Sequence, residues 1–267
     1  MEIRRSEKAG IHITSIKGQD LPIEAEKNVA GVAGLAILKA HNAQLGFEIR
    51  IEKNIKPGSG IGSSAASAAG TVAGINYLLG NPFTNKELIP FAMEGERLAC
   101  GSAHADNVAP ALLGGFTLVR DTNPLDICAL PTPLELVATV IHPKIEVKTA
   151  DARAVLKKRV TLEKAISQWG NVGALVSSLY EEDYDLLSRS LIDGIVEPTR
   201  AILIPHFSEL KAACKEAGAL GSGISGSGPS VFALSRGMPA ANTVAKAMQS
   251  VLELSLIHIS EPTRRWS

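Results

Sequence analysis

The stretch that decides the fold of this chain is Lys56-Pro57-Gly58-Ser59-Gly60-Ile61-Gly62-Ser63-Ser64-Ala65-Ala66-Ser67. It follows residues 47–53, in which apolar and charged side chains alternate as they do in a half-buried strand. After the three glycines, residues 63–79 are small and apolar and predict a helix. The predicted order is therefore a strand, a glycine loop and a helix.

The glycine loop and the helix start together predict an anion-binding site. Glycine allows the backbone to approach a ligand closely and to adopt positive φ, and we expect Ser63 or Ser64 to cap the helix. The free amides and positive end of the helix would then bind a phosphate. A Walker A loop and a dinucleotide fingerprint are both excluded, because no lysine follows the glycines and Ser63 replaces the third glycine. The plainer interpretation is a flexible connection.

Composition narrows the class of protein. The 267 residues include 27 basic and 27 acidic side chains, and zero net charge argues against nucleic-acid or membrane binding through a broad charged surface. The length suits one large domain or two modest ones. Three scattered cysteines without a Cys-x-x-Cys pair predict reduced thiols in a cytoplasmic protein; they are Cys100, Cys128 and Cys214. The first 16 residues contain no apolar signal segment, and several histidines are expected to be structural: His12, His41, His142 and His206.

Periodicity places further elements along the chain. Strands are predicted near residues 11–16, 116–120, 136–141 and 231–234, and helices near residues 27–41, 86–99, 162–180, 184–196, 206–217 and 240–254. Thr84 and Glu87 are spaced as a capping box. A formal Gly-x-Gly-x-x-Gly spans residues 221–226, but it leads into a strand, so we reject a dinucleotide site there.

Several separated motifs resemble one known family. Residues 60–65 resemble the phosphate loop of the GHMP kinases, and residues 223–230 resemble their third motif, which lies against that loop. The string His104-Ala105-Asp106-Asn107-Val108-Ala109-Pro110, with residues 114–116, 149–153 and 197–200, resembles the homoserine kinases among them. The resemblance covers about residues 10–254. It implies an α+β fold with a ribosomal protein S5 domain 2-like domain over residues 1–145 and a ferredoxin-like domain over residues 146–254.

The resemblance implies ATP and Mg²⁺ as cofactors. The implied nucleotide-binding residues are Asn28 near adenine and, along the loop, Lys56, Pro57, Gly58, Ser59, Gly60, Ile61, Gly62, Ser63, Ser64, Ala65 and Ala66. Ser64 and Glu96 are the implied magnesium residues, offering hard oxygen ligands. The plainer interpretations are a solvated helix glutamate at Glu96 and a helix N-cap at Asn28.

The implied small-molecule substrate is L-homoserine, which has a carboxylate, an ammonium and a hydroxyl group. Arg153 and Arg200 offer planar, two-pronged donors for a carboxylate. The resemblance adds Thr149, His104, Asn107 and Gly226 to the substrate site. His104 as a packed histidine and Asn107 as a helix cap are the plainer interpretations.

The family is thought to work without a dedicated catalytic base. The loop and Mg²⁺ would stabilise charge on the γ-phosphate while the substrate hydroxyl attacks in line. Asp106 is the nearest candidate base, and we favour a role in which it orients His104 or Asn107. A homodimer is also implied by the resemblance.

Two departures from the family pattern stand at the ends. An opening motif of the form Ala-Asn-x-x-x-Gly-Phe-Asp-x-Leu-Gly is not found before Ile11, so we expect the chain to start after it, with open strand edges left behind. Residues 255–267 resemble translated adapter sequence and are predicted to be a non-native tail; a divergent natural tail is the alternative. The chain as written is therefore expected to be weak or inactive.

Two other functions stay open at this point. One is a GHMP kinase for mevalonate or a related alcohol, which would depend less on Arg153 and Arg200. The other is a non-catalytic relative that binds nucleotide, which the missing opening motif favours and the retained Ser64 and Glu96 oppose.

Overall fold

The computed structural model of the chain describes residues 1–259 except residues 43, 102, 146 and 148. The chain divides into two compact units. The first consists of Met1–Pro57 and Gly62–Leu130, and the second of Gly58–Ile61 and Pro131–Ser267. The domain boundary after residue 145 stays a prediction. Among the described residues, the structure has no helix that is both long enough and apolar enough to span a bilayer.

The first unit is built on a three-stranded sheet. Its strands are β1 (Glu2–Ser6), β2 (Gly10–Lys17) and β3 (Gly46–Glu52), in the order β1-β3-β2. β1 pairs with β3 in the antiparallel sense and β2 pairs with β3 in the parallel sense. β2 and β3 were predicted from alternation, whereas β1 was not, because the charged run Glu2 to Arg5 has no apolar repeat.

Four helices and a hairpin complete this unit. They are α1 (Val29–Ala40), α2 (Ser63–Leu78), α3 (Asn85–Cys100), α4 (Val108–Leu113), β4 (Phe116–Thr122) and β5 (Leu125–Leu130). The capping box of Thr84 and Glu87 is confirmed at the start of α3. The core is formed by fully buried side chains of the sheet and helices, including Phe47, Ile49, Ile37, Val72 and Ile75.

Small residues allow α3 to approach its neighbours very closely. A Cβ atom added to Gly95 would lie 2.5 Å from the Val29 carbonyl oxygen and 3.1 Å from the Ala68 Cβ. Only glycine therefore fits at this position. The close approach brings the next residue, Glu96, to the start of α2.

The second unit has an antiparallel sheet covered by helices. Its strands are β6 (Leu136–Ile141), β7 (Gly221–Ile224) and β8 (Val231–Arg236), in the order β6-β8-β7. Its helices are α5 (Thr149–Ala154), α6 (Leu162–Glu181), α7 (Tyr184–Ser190), α8 (Glu197–Arg200), α9 (Phe207–Glu216) and α10 (Gly237–Ile259). Buried residues of α9, β8 and α10, among them Leu210, Val231 and Met248, form its core.

The sequence prediction differs from this unit in three places. Gly221 and Gly223 lie in β7 rather than in a loop, so the formal glycine motif is half strand. The helix predicted over residues 184–196 ends at Ser190, because the Asp193 carboxylate accepts hydrogen bonds from the amides of Ile195, Val196 and Glu197. α10 continues beyond residue 254 to Ile259. Residues 260–267 of the predicted tail lie outside the described residues.

Candidate functional site

The glycine loop has the backbone geometry that the sequence predicted. Gly58, Gly60 and Gly62 have φ of 70°, 79° and 72°. The prediction that Ser63 or Ser64 caps the helix was wrong: left-handed Gly62 occupies the N-cap position and Ser63 Oγ donates to the Ile55 carbonyl at 2.7 Å. The first turn of α2 thus has no side-chain cap. Its amides remain available to an anion, as the phosphate-site hypothesis requires.

Lys53 is a site residue that the sequence interpretation missed. Its side chain is buried, and its Nζ donates to the Ser63 carbonyl at 2.8 Å and to Ser67 Oγ at 2.6 Å. Burial lowers the pKa of this lysine, while the charge of Glu96 acts in the opposite direction. A signal was present, since Ile49, Ile51 and Lys53 alternate onto the same inward face of the strand.

Glu96 belongs to α3, and its buried carboxylate lies close to the start of α2. It is 4% exposed, so the solvated-helix interpretation does not describe it. The Ser64 hydroxyl hydrogen-bonds to the carboxylate, yet the buried Oε1 atom has no hydrogen-bond partner within the described part of the chain. Burial raises the pKa of Glu96 and nearby Asp106 raises it further, whereas Ser64, His104 and Lys53 lower it.

The connection between α3 and α4 supplies three more of the predicted residues. Asp106 and Asn107 are exposed, and Asp106 Oδ1 accepts from the Asn107 amide at 3.0 Å. Asn107 occupies the N-cap position of α4 without a side-chain cap bond. Its side chain lies beside the glycine loop instead: a Cβ atom added to Gly62 would be 3.3 Å from Asn107 Oδ1. His104 is half-buried and close enough to Glu96 to affect its pKa.

Asn28 is the N-cap of α1, as its plainer interpretation predicted. Its Oδ1 accepts from the Ala30 amide at 3.0 Å and its Nδ2 donates to the Pro22 carbonyl at 2.7 Å. The same side chain lines a cavity of about 80 Å³ in the first unit, whose lining residues are Leu21, Pro22, Lys27, Asn28, Val29, Ile51, Lys53 and Ser67. The structure therefore places the Asn28 cap and the Lys53 ammonium on one cavity.

In the second unit, the tip of the loop is held by the third motif. Ser225 Oγ donates to the Gly60 carbonyl at 2.8 Å, and Ser230 Oγ donates to the Ser59 carbonyl at 2.6 Å. A Cβ at Gly60 would lie 2.5 Å from the Ser225 carbonyl oxygen. His142 Nδ1 lies 3.1 Å from Ser230 Oγ. These contacts fix the backbone at the tip of the loop.

Arg200 joins two other predicted elements. Its Nε donates to the Ala152 carbonyl of α5 at 3.1 Å and its Nη1 donates to the Gly226 carbonyl at 2.9 Å. Gly226 has φ of 57°, and a Cβ atom added to it would lie 2.9 Å from the Gly60 carbonyl oxygen. Thr149 and Arg153 lie on α5, but their side chains are outside the described part of the structure.

The remaining loop residues differ in their exposure. Lys56, Pro57 and Ile61 are exposed, Ala65 is buried and Ala66 is exposed on α2. Among the described residues there is no group of three or more His, Cys, Asp or Glu side chains that could hold a metal ion.

Family models match both halves of the chain. The GHMP kinases N terminal domain matches residues 26–115, and the GHMP kinases C terminal domain matches residues 162–254. The crystal structure of L. major mevalonate kinase in complex with R-mevalonate superposes with a TM-score of 0.70 at 17% identity, covering 93% of this chain and 81% of that one. The predicted two-domain α+β fold of the GHMP kinases is thereby confirmed.

More similar proteins are homoserine kinases. The homoserine kinase of Chloroherpeton thalassium is 52% identical over 238 residues, which cover 87% of this chain and 75% of that protein. The crystal structure of homoserine kinase from Cytophaga hutchinsonii has a TM-score of 0.92 and 52% identity, covering 95% of this chain and 81% of that chain. The chain belongs to the homoserine kinase family.

Proposed function

We propose that this protein phosphorylates the side-chain hydroxyl of L-homoserine with ATP, giving O-phospho-L-homoserine. The observation that carries the kinase chemistry is the left-handed glycine loop ending at the uncapped first turn of α2, beside Ser64 and buried Glu96. The choice of homoserine is supported by the 52% identical homoserine kinase of Chloroherpeton thalassium.

The loop residues 56–66 are proposed to bind the phosphates of ATP. Positive φ at Gly58, Gly60 and Gly62 leaves backbone amides free of Cβ atoms around a ligand. The first-turn amides of α2 add the positive end of a helix dipole. Asn28 and the cavity that it lines are proposed to lie near the adenine base.

Ser64 and Glu96 fit the demands of Mg²⁺. A hydroxyl and a carboxylate are hard oxygen ligands, and the buried Glu96 Oε1 atom has no hydrogen-bond partner among the described residues. An unpartnered buried carboxylate oxygen is costly unless a ligand uses it. Mg²⁺, when bound, would neutralise charge on the phosphate oxygens. The positive charge of Lys53 favours the ionised form of Glu96 that such a ligand needs.

The amino-acid substrate is proposed to bind through Arg153, Arg200, Thr149, His104, Asn107 and Gly226. The hydrogen bonds of Arg200 to the Ala152 and Gly226 carbonyls hold its guanidinium in one place. A fixed guanidinium suits a substrate carboxylate, because less side-chain entropy is lost on binding. Such a group would favour an amino acid over a neutral alcohol as the substrate.

Asp106 is proposed to orient its neighbours rather than to act as a base. Its carboxylate is exposed and accepts a hydrogen bond from the Asn107 amide, so it is already engaged with a neighbouring backbone group. In-line attack by the substrate hydroxyl would then depend on positioning and on charge stabilisation by the loop. An Asp106→Asn variant that binds substrate normally but has no turnover would contradict this assignment.

The first experiment is to measure ADP release by the purified chain with MgATP and, in parallel, L-homoserine, mevalonate or no acceptor. We expect release to be slow and to occur with homoserine alone. Release with mevalonate alone would overturn the substrate. Nucleotide binding without release in any sample would favour the non-catalytic relative only if release also failed after the family's opening motif had been supplied at the N-terminus.

Arginine variants sharpen this experiment. Arg153→Lys and Arg200→Lys should raise the KM for homoserine, because lysine cannot donate in the same two-pronged way. Arg120→Lys is the matched control, since that side chain pairs with Asp126 in the β4-β5 hairpin.

The product is proposed to serve threonine biosynthesis, in the cytoplasm, where the free cysteines Cys128 and Cys214 would remain reduced.

A further inference from the structure

His142 lies immediately after β6, directly opposite Ser230 in the sheet of the second unit. β6 and β8 are antiparallel and pair Ile141 with Val231, so the next pair along the same register is His142 with Ser230. Pro143 follows, and a residue before proline favours extended backbone, which continues the line of the strand. The register thus explains why His142 Nδ1 lies 3.1 Å from Ser230 Oγ.

The hydrogen bonds of the Ser230 hydroxyl have a fixed direction. Ser230 is fully buried, and its Oγ lies 2.6 Å from the Ser59 carbonyl oxygen. At that distance the hydroxyl hydrogen lies between the two oxygens, because a carbonyl has no hydrogen to offer. The hydroxyl then has only lone pairs left for His142, so Nδ1 of the half-buried imidazole must carry a hydrogen and donate it.

This chain of hydrogen bonds ends on the glycine loop. The tip of the loop, Gly58–Ile61, belongs to the same compact unit as His142 and Ser230. The Ser59 carbonyl also accepts from the Ser230 amide at 3.3 Å. Two donors from one residue therefore hold the orientation of the peptide that joins Ser59 to Gly60.

Fixing that carbonyl also fixes the direction of the Gly60 amide. The peptide between Ser59 and Gly60 is trans, so its N–H points away from its carbonyl and hence away from Ser230. Within the part of the chain that the structure describes, the Gly60 amide donates to no protein acceptor. Gly60 is partly exposed, so this amide is available to a ligand.

The hydrogen bonds in such a chain strengthen one another. A hydroxyl that accepts a hydrogen bond donates more strongly, and a peptide whose carbonyl accepts a strong hydrogen bond has a more polar N–H. The donation from His142 to Ser230 therefore reaches the Gly60 amide through the Ser59 carbonyl. The far end of the chain becomes a better donor to an anion.

We propose that His142 is a positioning residue for the nucleotide. Through Ser230 it orients and polarises the peptide between Ser59 and Gly60, so that the Gly60 amide is held ready for a phosphate oxygen. This inference rests on the proposed function, in which the glycine loop binds the phosphates of ATP. It gives His142 a part in nucleotide binding beyond the structural role that the sequence predicted.

Calorimetric titration of the purified chain with ADP tests the proposal without any acceptor substrate. His142→Ala should raise the Kd of ADP about five- to tenfold, the loss of about one hydrogen bond. His142→Asn should restore the Kd to within about twofold, because Asn Nδ2 is attached to Cγ as His Nδ1 is. His142→Gln should not restore it, since its amide nitrogen corresponds to Nε2. His206→Asn, at an exposed histidine of the same unit, is the control and should leave the Kd unchanged.

A double-mutant cycle tests whether His142 acts through Ser230. Ser230→Ala should raise the Kd of ADP by roughly tenfold or more, because it removes the hydroxyl that the Ser59 carbonyl accepts from. Adding His142→Ala to Ser230→Ala should change the Kd no further. Additive effects of the two substitutions would overturn the proposal, since His142 would then act by another route.

Nitrogen-15 NMR of labelled histidines gives a readout that needs no ligand. In alkaline buffer, where imidazole side chains are neutral, His142 should carry its hydrogen on Nδ1, and Ser230→Ala should abolish that preference. The His142→Asn chain lacks this signal and so identifies it. A hydrogen on Nε2 in the unaltered chain would overturn the proposal.

The two failures can be told apart. An ADP Kd that is unchanged in His142→Ala, with the urea midpoint of the variant also unchanged, would overturn the role of His142 and leave the proposed function standing. An unaltered chain that binds no ADP would overturn both.

Discussion

The start of α2 and the outer face of α6 depart from the usual distribution of residues in opposite directions. Near α2, Lys53 is 7% exposed and Glu96 is 4% exposed, although both side chains are ionisable. On α6, Leu162 and Trp169 are more than half exposed, although both are apolar. Buried polar groups and exposed apolar patches are the informative exceptions in a fold. The first exception indicates chemistry, and the second is typical of a contact surface.

The largest expected effect tests the buried charge. Glu96→Gln should lower kcat about 10²–10³-fold, the loss typical when one preorganised charge-stabilising group is removed. Its free energy of unfolding at neutral pH should not fall, because burial raises the pKa of this carboxyl and thus disfavours its ionised form in the folded state. Steady-state kinetics and urea unfolding measure the two quantities.

The pH dependence of this comparison has a definite sign. A carboxyl with a raised folded pKa destabilises the fold as pH rises through that pKa, and below its ordinary value of 4.5 it is protonated in both states. Any stability gained in Glu96→Gln should therefore shrink as the pH falls toward 4.5. A gain that persists in acid would contradict burial of the charge as its cause.

The next effect tests the backbone of the loop. Gly60→Ala places a Cβ 2.5 Å from the Ser225 carbonyl oxygen at a residue with φ of 79°. We expect a loss of at least tenfold in kcat/KM for ATP, together with about 1–3 kcal/mol of stability. Gly80→Ala is the control, since its φ is 91° and its Cβ would meet no atom within 4 Å. Equal activity losses in both variants would mean that the close contact is unimportant.

A smaller effect tests Lys53. Lys53→Met removes the hydrogen bonds to the Ser63 carbonyl and to Ser67 Oγ. We expect kcat/KM to fall about tenfold, because this loss corresponds to the free energy of about one hydrogen bond from a charged group. The charge of Lys53 lowers the pKa of Glu96, so its removal should shift the acidic limb of the pH profile to higher pH. Lys39→Met, at an exposed lysine of α1, is the control. An unshifted acidic limb would separate Lys53 from Glu96.

The strand–loop–helix unit and two strands, β1 and β7, show how far the sequence could predict the structure. Local features predicted the strand–loop–helix unit: the alternation before the loop, the three glycines and the small residues of α2. They were sufficient because local periodicity and glycine conformation determine this unit. β1 and β7 were missed, since one is a charged edge strand and the other is half glycine. Their pairing with β3 and β8 depends on contacts distant in sequence.

In the candidate site, too, local motifs identified some residues but did not indicate how they are buried. Glu96 and Asn107 were found through their motifs, but neither motif indicates that Glu96 is buried against Ser64. Lys53 was missed because a lysine at the end of a strand is usually solvated. In the structure its Nζ donates instead to the Ser63 carbonyl and to Ser67 Oγ of α2, contacts that are distant in sequence and that no local pattern at Lys53 indicates.

The smallest expected effect compares one substitution in the two regions. Gly170→Ala on α6 should raise the free energy of unfolding by about 0.5–1 kcal/mol, because alanine is the better helix former and its Cβ meets no atom within 4 Å. Gly95→Ala on α3 should lower it instead, since its Cβ would lie 2.5 Å from the Val29 carbonyl oxygen. Urea unfolding of both variants, at a concentration where the chain is monomeric, gives the comparison. If Gly95→Ala were as stable as Gly170→Ala, the tight contact that carries Glu96 to the start of α2 would not be required by the fold.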